Sequence, residues 1–329
     1  MRGPNAGTAV WITWESQPRN RSMAREVGVP LYEFSFSGSR ARRQLRAVGA
    51  TLSLLLRQRP GVVFASNPSL MLTYLMLACR PLFGFRFASD AHYGGVVAVH
   101  GSTLLQWLLD FANARADLVI VTNEVHAERV RRVGGAPFVC PDPLPQLPES
   151  PSKPNGMRGA EKSVLFICSF EVDEPYTQVF DAARVLAGHG FTVFASGPYS
   201  RAGLAPDAVP HVTLLGYVDR PTYDAYLQHA DIILDLTTWQ DCLVCGAYEA
   251  MAAGKPCVLS RTAALTSLFT HGTVFSSHGP ADIADAVLSA YERREALKTQ
   301  IAEWVVGHEA AIRKRGAALR AAVELPALG

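Results

Sequence analysis

Short apolar strand patterns and amphipathic helical patterns alternate along all 329 residues, and they do so in two series. The first series runs through "AVWITW", "LYEFSF", "GVVFAS", "FRFAS" and "DLVIVT", with helical spacing around residues 20–28, 39–58, 67–80, 102–115 and 124–133. The second runs through "SVLFIC", "FTVFAS", "HVTLLG", "DIILDL" and "KPCVLS", again with helical stretches between, and closes on a long charged helical segment over 281–323. Apolar strands separated by helices imply parallel sheets covered on both faces. Between the series lies "PDPLPQLPESPSKPNGMRG", with six prolines, two glycines and no apolar period, which reads as a linker. The expected organisation is an α/β domain over 1–145, a linker over 146–160 and a second α/β domain over 161–329. Two such domains are expected to face each other across a cleft, with ligands at the carboxyl ends of the strands.

Composition narrows the class. Hydrophobic residues make up 49% and charged residues 18%, which excludes a disordered chain. The charge is unevenly spread. Residues 1–145 carry sixteen arginines, no lysine and nine acids, a balance of +7, whereas the remainder carries −5. The basic half is expected to meet something anionic: a nucleic acid, an acidic lipid surface or a diphosphate. No nucleic-acid reader motif appears and the basic residues are not interleaved with aromatics, so a nucleic acid is the weakest of the three. The most apolar run, 70–79, is cut off by Arg80-Pro81 at half the ~20 residues that a membrane span requires. No signal-peptide pattern opens the chain, and the cysteines sit in strand and helix patterns as reduced thiols do. Both features lead us to expect a cytoplasmic protein.

The densest chemistry lies in "QDCLVCGAYEAMAAGKPCVLS", residues 240–260. Cys242 and Cys245 have redox spacing, but no second pair or histidine cluster completes a metal site. Asp241 follows the strand "DIILDL" together with Thr238, and Glu249 falls one turn into a helix that starts near Gly246. The amides at that helix start suit a phosphate, and a carboxylate beside them suits the hydroxyls of a ribose or a sugar. A cap or an ion pair with Lys255 is the plain alternative for Glu249.

The longer stretch "DIILDLTTWQDCLVCGAYEAMAAGKPCVLSRTAAL" resembles the donor-binding region of GT-B glycosyltransferases that carry E-x7-E followed by E-A-M-A-x-G-x-P. "VIVTNEVHAERV" and "VTLLGYVDRPTYDAYLQHADIILDLTT" resemble other segments of the same enzymes. The resemblance implies two facing Rossmann-like domains and a nucleotide-sugar donor, with no metal or other cofactor. It assigns Glu249 to the donor ribose and Asp241, in place of the first glutamate, to the donor sugar. Two departures stand out. Cys242-Leu243-Val244 replaces the usual Gly-Phe-Gly, and the loop "SFEVDEPYT" has Glu171, Asp173 and Glu174 where the family places an arginine and a lysine for the diphosphate. Arg201 and Arg261, each past a strand end, are the candidates to supply that charge.

In the first half, "FASDAHYGG" sets Asp90 and His92 at a strand end, where either could act as base toward an acceptor hydroxyl. Glu15, Arg19 and Arg21, in "WESQPRNRS", form an acceptor-side cluster. Arg40, Arg42, Arg43 and Arg46 open an amphipathic helix that reads either as sheet packing with a solvated basic end or as contact with an anionic membrane. The leading expectation is a glycosyltransferase acting on a polysaccharide or lipid-linked saccharide. A nucleotide-sugar 2-epimerase and a silent nucleotide-sugar-binding partner are the alternatives.

Overall fold

The computed structural model describes residues 5–67, 69–99, 101–149 and 151–327, so Pro68 and Ser150, the latter in the expected linker, lie outside the described residues. The chain forms two compact units, residues 1–143 with 309–329 and residues 144–308.

The first unit contains β1 (Asn5–Thr13), α1 (Pro18–Val27), β2 (Leu31–Glu33), α2 (Arg40–Gln58), β3 (Pro60–Asn67), α3 (Leu70–Phe83) and β4 (Arg86–Ala91). It continues through α4 (Tyr93–Val96), α5 (Thr103–Arg115), β5 (Leu118–Val121), α6 (Glu124–Arg132) and β6 (Pro137–Val139). Its sheet has the order β2-β1-β3-β4-β5-β6, all parallel. Alternation along each strand feeds two cores. Val10, Ile12, Val63 and Ala65 pack with α2 and α3, while Trp11 and Phe64, stacked at 5.1 Å, face the layer of α1. Gly28 and Gly84 close α1 and α3 with left-handed backbone, which returns the chain to the next strand.

The second unit contains β7 (Lys162–Phe166), α7 (Tyr176–Gly188), β8 (Phe191–Ser196), β9 (Val212–Gly216), α8 (Arg220–His229), β10 (Ile232–Asp235) and α9 (Cys245–Ala252). After these come β11 (Cys257–Ser260), α10 (Ala263–Leu268), β12 (Thr273–Ser276), α11 (Pro280–Glu292) and α12 (Arg294–Ala322). The order β12-β11-β10-β7-β8-β9, again parallel, is that of a Rossmann sheet, and strand order reverses between β7 and β10. In open α/β sheets such a switch point, at the carboxyl ends of the strands, is where ligands bind.

The domain limits differ from the sequence expectation at both ends. Leu144 and Leu147 pack against the core of the second unit and Met157 is fully buried in it, so the second unit begins ahead of the expected linker, most of which is exposed and irregular. Helix α12 is shared. Ile301 is buried in the second unit, whereas Ile312, Leu319 and Val323 complete the core beside Trp11, and Arg320 donates to the Val27 carbonyl in α1. Apolar spacing at 312, 319 and 323 matches one helix stripe, which is why the last turns bury there.

Candidate active site

In the second unit the switch point is built from the loops after β7 and β10. Asp235, the last residue of β10, accepts the Gly246 N–H at 2.8 Å. Burial, followed by the charge of Glu174, holds its carboxyl well above the usual carboxylate range. Gly246 is required by close approach: a Cβ there would sit 2.3 Å from Asp235 Oδ2 and 2.6 Å from the Ile167 side chain. Gly246→Ala should therefore push Asp235 or Ile167 aside and destabilise the second unit by about 1–3 kcal/mol, read by thermal unfolding.

The loop after β7 folds around its own carboxylate. Glu174 accepts the Ser169 N–H and the Glu171 N–H, both at 2.9 Å, and the Ser169 hydroxyl at 3.0 Å. Phe170 adopts left-handed backbone, φ 58°, to aim these amides inward. Asp173 accepts the Thr237 hydroxyl at 2.6 Å, and its carbonyl takes the Thr238 N–H at 2.8 Å, tying this loop to the one after β10. Glu171 pairs with Arg201 at 2.5 Å. The three acids that stand in place of the family's basic pair thus each have a structural partner.

Glu249 is buried in the second turn of α9. One oxygen accepts Arg220 Nη1 at 3.0 Å, and the other accepts the Tyr223 hydroxyl. Burial raises the Glu249 carboxyl, while Tyr223 and Arg220 oppose that rise. Burial pushes the Tyr223 phenol well up, and Glu249 adds to it, so Tyr223 stays a donor. Arg220 also pairs with Asp224 at 2.7 Å; burial favours its neutral form, but the two acids outweigh this. Arg220 and Tyr223 sit on the first turn of α8, fixed by the Asp219 cap on the Thr222 N–H. A carboxylate has about four acceptor positions, so a Glu249 holding two donors keeps capacity for a diol.

Asp241 and Thr238 lie in the loop between β10 and α9, half-buried and exposed respectively. Arg201, in the turn after β8, and Arg261, after β11, are exposed on loops at the same sheet edge, and Arg261 donates to the Phe275 carbonyl at 2.9 Å. The structure thus gathers Thr238, Asp241, Gly246 and Glu249 in one segment. It adds Arg220, Tyr223 and Asp235, which the sequence reading did not select; the second acid of the apolar run "DIILDL" was the available sign of Asp235.

In the first unit Asp90 is fully buried, and Arg19 holds both its oxygens, Nη2 at 2.5 Å and Nε at 3.0 Å. Arg19 also pairs with Asp142. Burial works against the charge of Arg19, but Asp142 and Asp90 raise its guanidinium well above the ordinary value. Asp90 and Arg19, read from the sequence as groups facing substrate, therefore form an enclosed ion pair joining α1 to β4. His92 is half-buried beside them, with Nδ1 3.1 Å from the Asn67 carbonyl. A carbonyl only accepts, so Nδ1 carries the proton and Nε2 keeps its lone pair. Burial, followed by Arg19, lowers the His92 pKa and keeps the ring neutral at pH 7. Arg21 is exposed and pairs with Glu33 at 3.1 Å, and Glu15 is exposed and accepts Gln17 at 2.7 Å. Among the described residues no group of three or more His, Cys, Asp or Glu side chains is arranged to hold a metal ion.

Residues 161–293 match the family model for glycosyl transferases group 1. No curated protein matches the chain in sequence. Among solved structures, HepE of Anabaena in complex with UDP-glucose is 13% identical, covers 96% of this chain and 98% of its own, and superposes with a TM-score of 0.65. Sucrose-phosphate synthase of Thermosynechococcus elongatus is 16% identical over 96% of each chain, with a TM-score of 0.60. UDP-GlcNAc 2-epimerase of Methanocaldococcus jannaschii is 12% identical over 86% of this chain and 93% of its own, with a TM-score of 0.51. These likenesses show the fold, two Rossmann-like units of the GT-B type, which transferases and an epimerase share. The group 1 match falls within the unit that holds Gly246, Glu249 and their clamp.

Proposed function

We propose that the protein moves a sugar from a nucleoside-diphosphate sugar onto a polysaccharide or lipid-linked saccharide acceptor. The observation that carries this reading is the Glu249 carboxylate, held in one orientation by Arg220 and Tyr223 on the second turn of α9. Such an acceptor, set before substrate arrives, fits a ribose diol, and the helix start fits the adjoining diphosphate. In this reading Asp241 meets the donor sugar, Thr238 lines its pocket, and Arg201 and Arg261 offset diphosphate charge without a metal ion. His92 serves the acceptor hydroxyl as base, positioned by the Arg19–Asp90 pair, with Glu15 and Arg21 on the acceptor side. The enzyme would work at the cytoplasmic face of the plasma membrane, with Arg40, Arg42, Arg43 and Arg46 of α2 toward anionic headgroups.

A panel of nucleotide-sugars tests the reading, starting with UDP-sugars because HepE was solved with UDP-glucose. Thermal stabilisation plus release of a nucleoside diphosphate is the expected result. Release of an isomerised sugar would favour the epimerase reading, and stabilisation without turnover the silent partner. The role of His92 has its own signature. As pH falls through its lowered pKa the ring takes a proton at Nε2 and ceases to be a base. The acid limb of kcat/KM should therefore lie below the ordinary 6.5 of an imidazole. His92→Gln should erase that limb and cost about 100-fold in rate; an unchanged limb would remove His92 from the chemistry.

A further inference from the structure

The outer layer of the first unit breaks the usual pattern of surface helices. Helix α3 touches both α2 and α5. Its sequence "LMLTYLMLACRPLF" has no acid and one basic residue, although it lies at the surface, with Met71 52% and Leu82 70% exposed. Exposure continues on its neighbours, with Leu104 at 67% and Trp107 at 60% on α5 and Leu45 at 73% and Leu56 at 58% on α2. Those six are more than half of the strongly exposed large apolar side chains among the described residues. Charge on the same layer has one sign over most of its width. Helix α2 has five arginines and no acid, and α5 has Arg115 against Asp110.

Between the C-terminal ends of α3 and α5 this layer opens into a groove of about 790 Å3. Tyr74, Leu77 and Phe111 form its apolar wall, and Arg80, Arg86 and Arg115 line its rim. Tyr74 stacks on Phe111 at 6.2 Å, and Trp107 extends the aromatic row at 5.7 Å. Arg80 pairs with Asp117 at 2.5 Å and Arg86 with Glu324 at 2.7 Å, while Arg115 lies over the Phe111 ring at 4.6 Å. Three guanidinium groups share two carboxylates beside an apolar wall.

We infer that the α3–α5 face seats the first unit on an anionic phospholipid bilayer, with a lipid phosphate in the groove and Leu82 and Trp107 among the acyl chain tops. Apolar side chains projecting from a helix layer favour the headgroup–acyl boundary, and each arginine near an anionic leaflet strengthens the contact about fivefold. No helix among the described residues is long and apolar enough to cross a membrane, so the contact is one of lying on the surface. The inference takes its purpose from the transferase reading, but its test needs no donor.

The protein should co-sediment with phosphatidylcholine vesicles that contain phosphatidylglycerol and not with phosphatidylcholine alone. Leu82→Glu with Trp107→Glu should lower that partition at least tenfold, and Arg115→Glu about tenfold. Brominated lipid should quench part of the tryptophan emission, and Trp107→Phe should remove that part. Both charge variants should keep the thermal stabilisation given by a nucleotide-sugar, which separates loss of docking from loss of the donor site. Absence of vesicle binding in the wild type, unchanged binding in the variants, or a solution dimer that Leu82→Glu breaks would overturn the inference.

Discussion

Glu249→Gln should lower kcat/KM for the nucleotide-sugar by about 100-fold, most of it through a higher donor KM, with the protein still folded. The amide keeps the shape of the carboxylate but loses its charge and half of its acceptor capacity. Two charge-assisted bonds to a diol are worth roughly 1.5–3 kcal/mol each, and a loss of about 2.7 kcal/mol in total corresponds to 100-fold. Stability should fall by only about 1–2 kcal/mol, because Arg220 keeps Asp224 and Tyr223 can turn to the amide oxygen. Steady-state kinetics beside a thermal melt decides the matter. Wild-type kcat/KM in the variant would show that Glu249 is only a helix-packing acid.

The largest stability effect belongs to Arg19. Arg19→Met should destabilise the first unit by about 3–5 kcal/mol, because it leaves two acids, one of them fully enclosed, facing each other without a cation. For a unit of this size that corresponds to about 10 °C or more in the melting transition. Arg21→Met removes an exposed pair two positions away and should change stability by no more than about 0.5 kcal/mol. Calorimetry on both variants tests the contrast; similar small shifts would mean that Asp90 and Asp142 find other partners. The same experiment bears on catalysis. If the ion pair positions His92, the residual folded fraction of Arg19→Met should also lose rate.

Much of the fold was legible because a doubly covered parallel strand leaves an unmistakable apolar run. "AVWITW", "GVVFAS" and "DIILDL" all became strands. The two edge strands β6 and β12, "PFV" and "TVFS", were not picked out. Three or four residues beside a proline or after a glycine carry too little pattern to separate a strand from a turn. The end of the chain was misplaced for a different reason. Ile312, Leu319 and Val323 announce a buried stripe, but a stripe does not say which core receives it. The site divides in the same way. Gly246 and Glu249 stand in one short motif and could be read directly. Arg220 and Tyr223 precede Glu249 by 29 and 26 positions, and only the parallel order of β9 and β10 around β7 brings them to it. Asp90 was legible as a strand-end acid, but its enclosure by Arg19, 71 residues away, was not.

The loop after β7 brings its own anion. Since Glu174 already satisfies the amides of Ser169 and Glu171, the loop takes its shape before any donor arrives. Little of the donor's affinity is then spent on freezing a mobile segment. Those amides are thereby closed to a phosphate, which has to find its donors elsewhere. The cradle is rigid because it is full, and selectivity among donors falls to the groups around it.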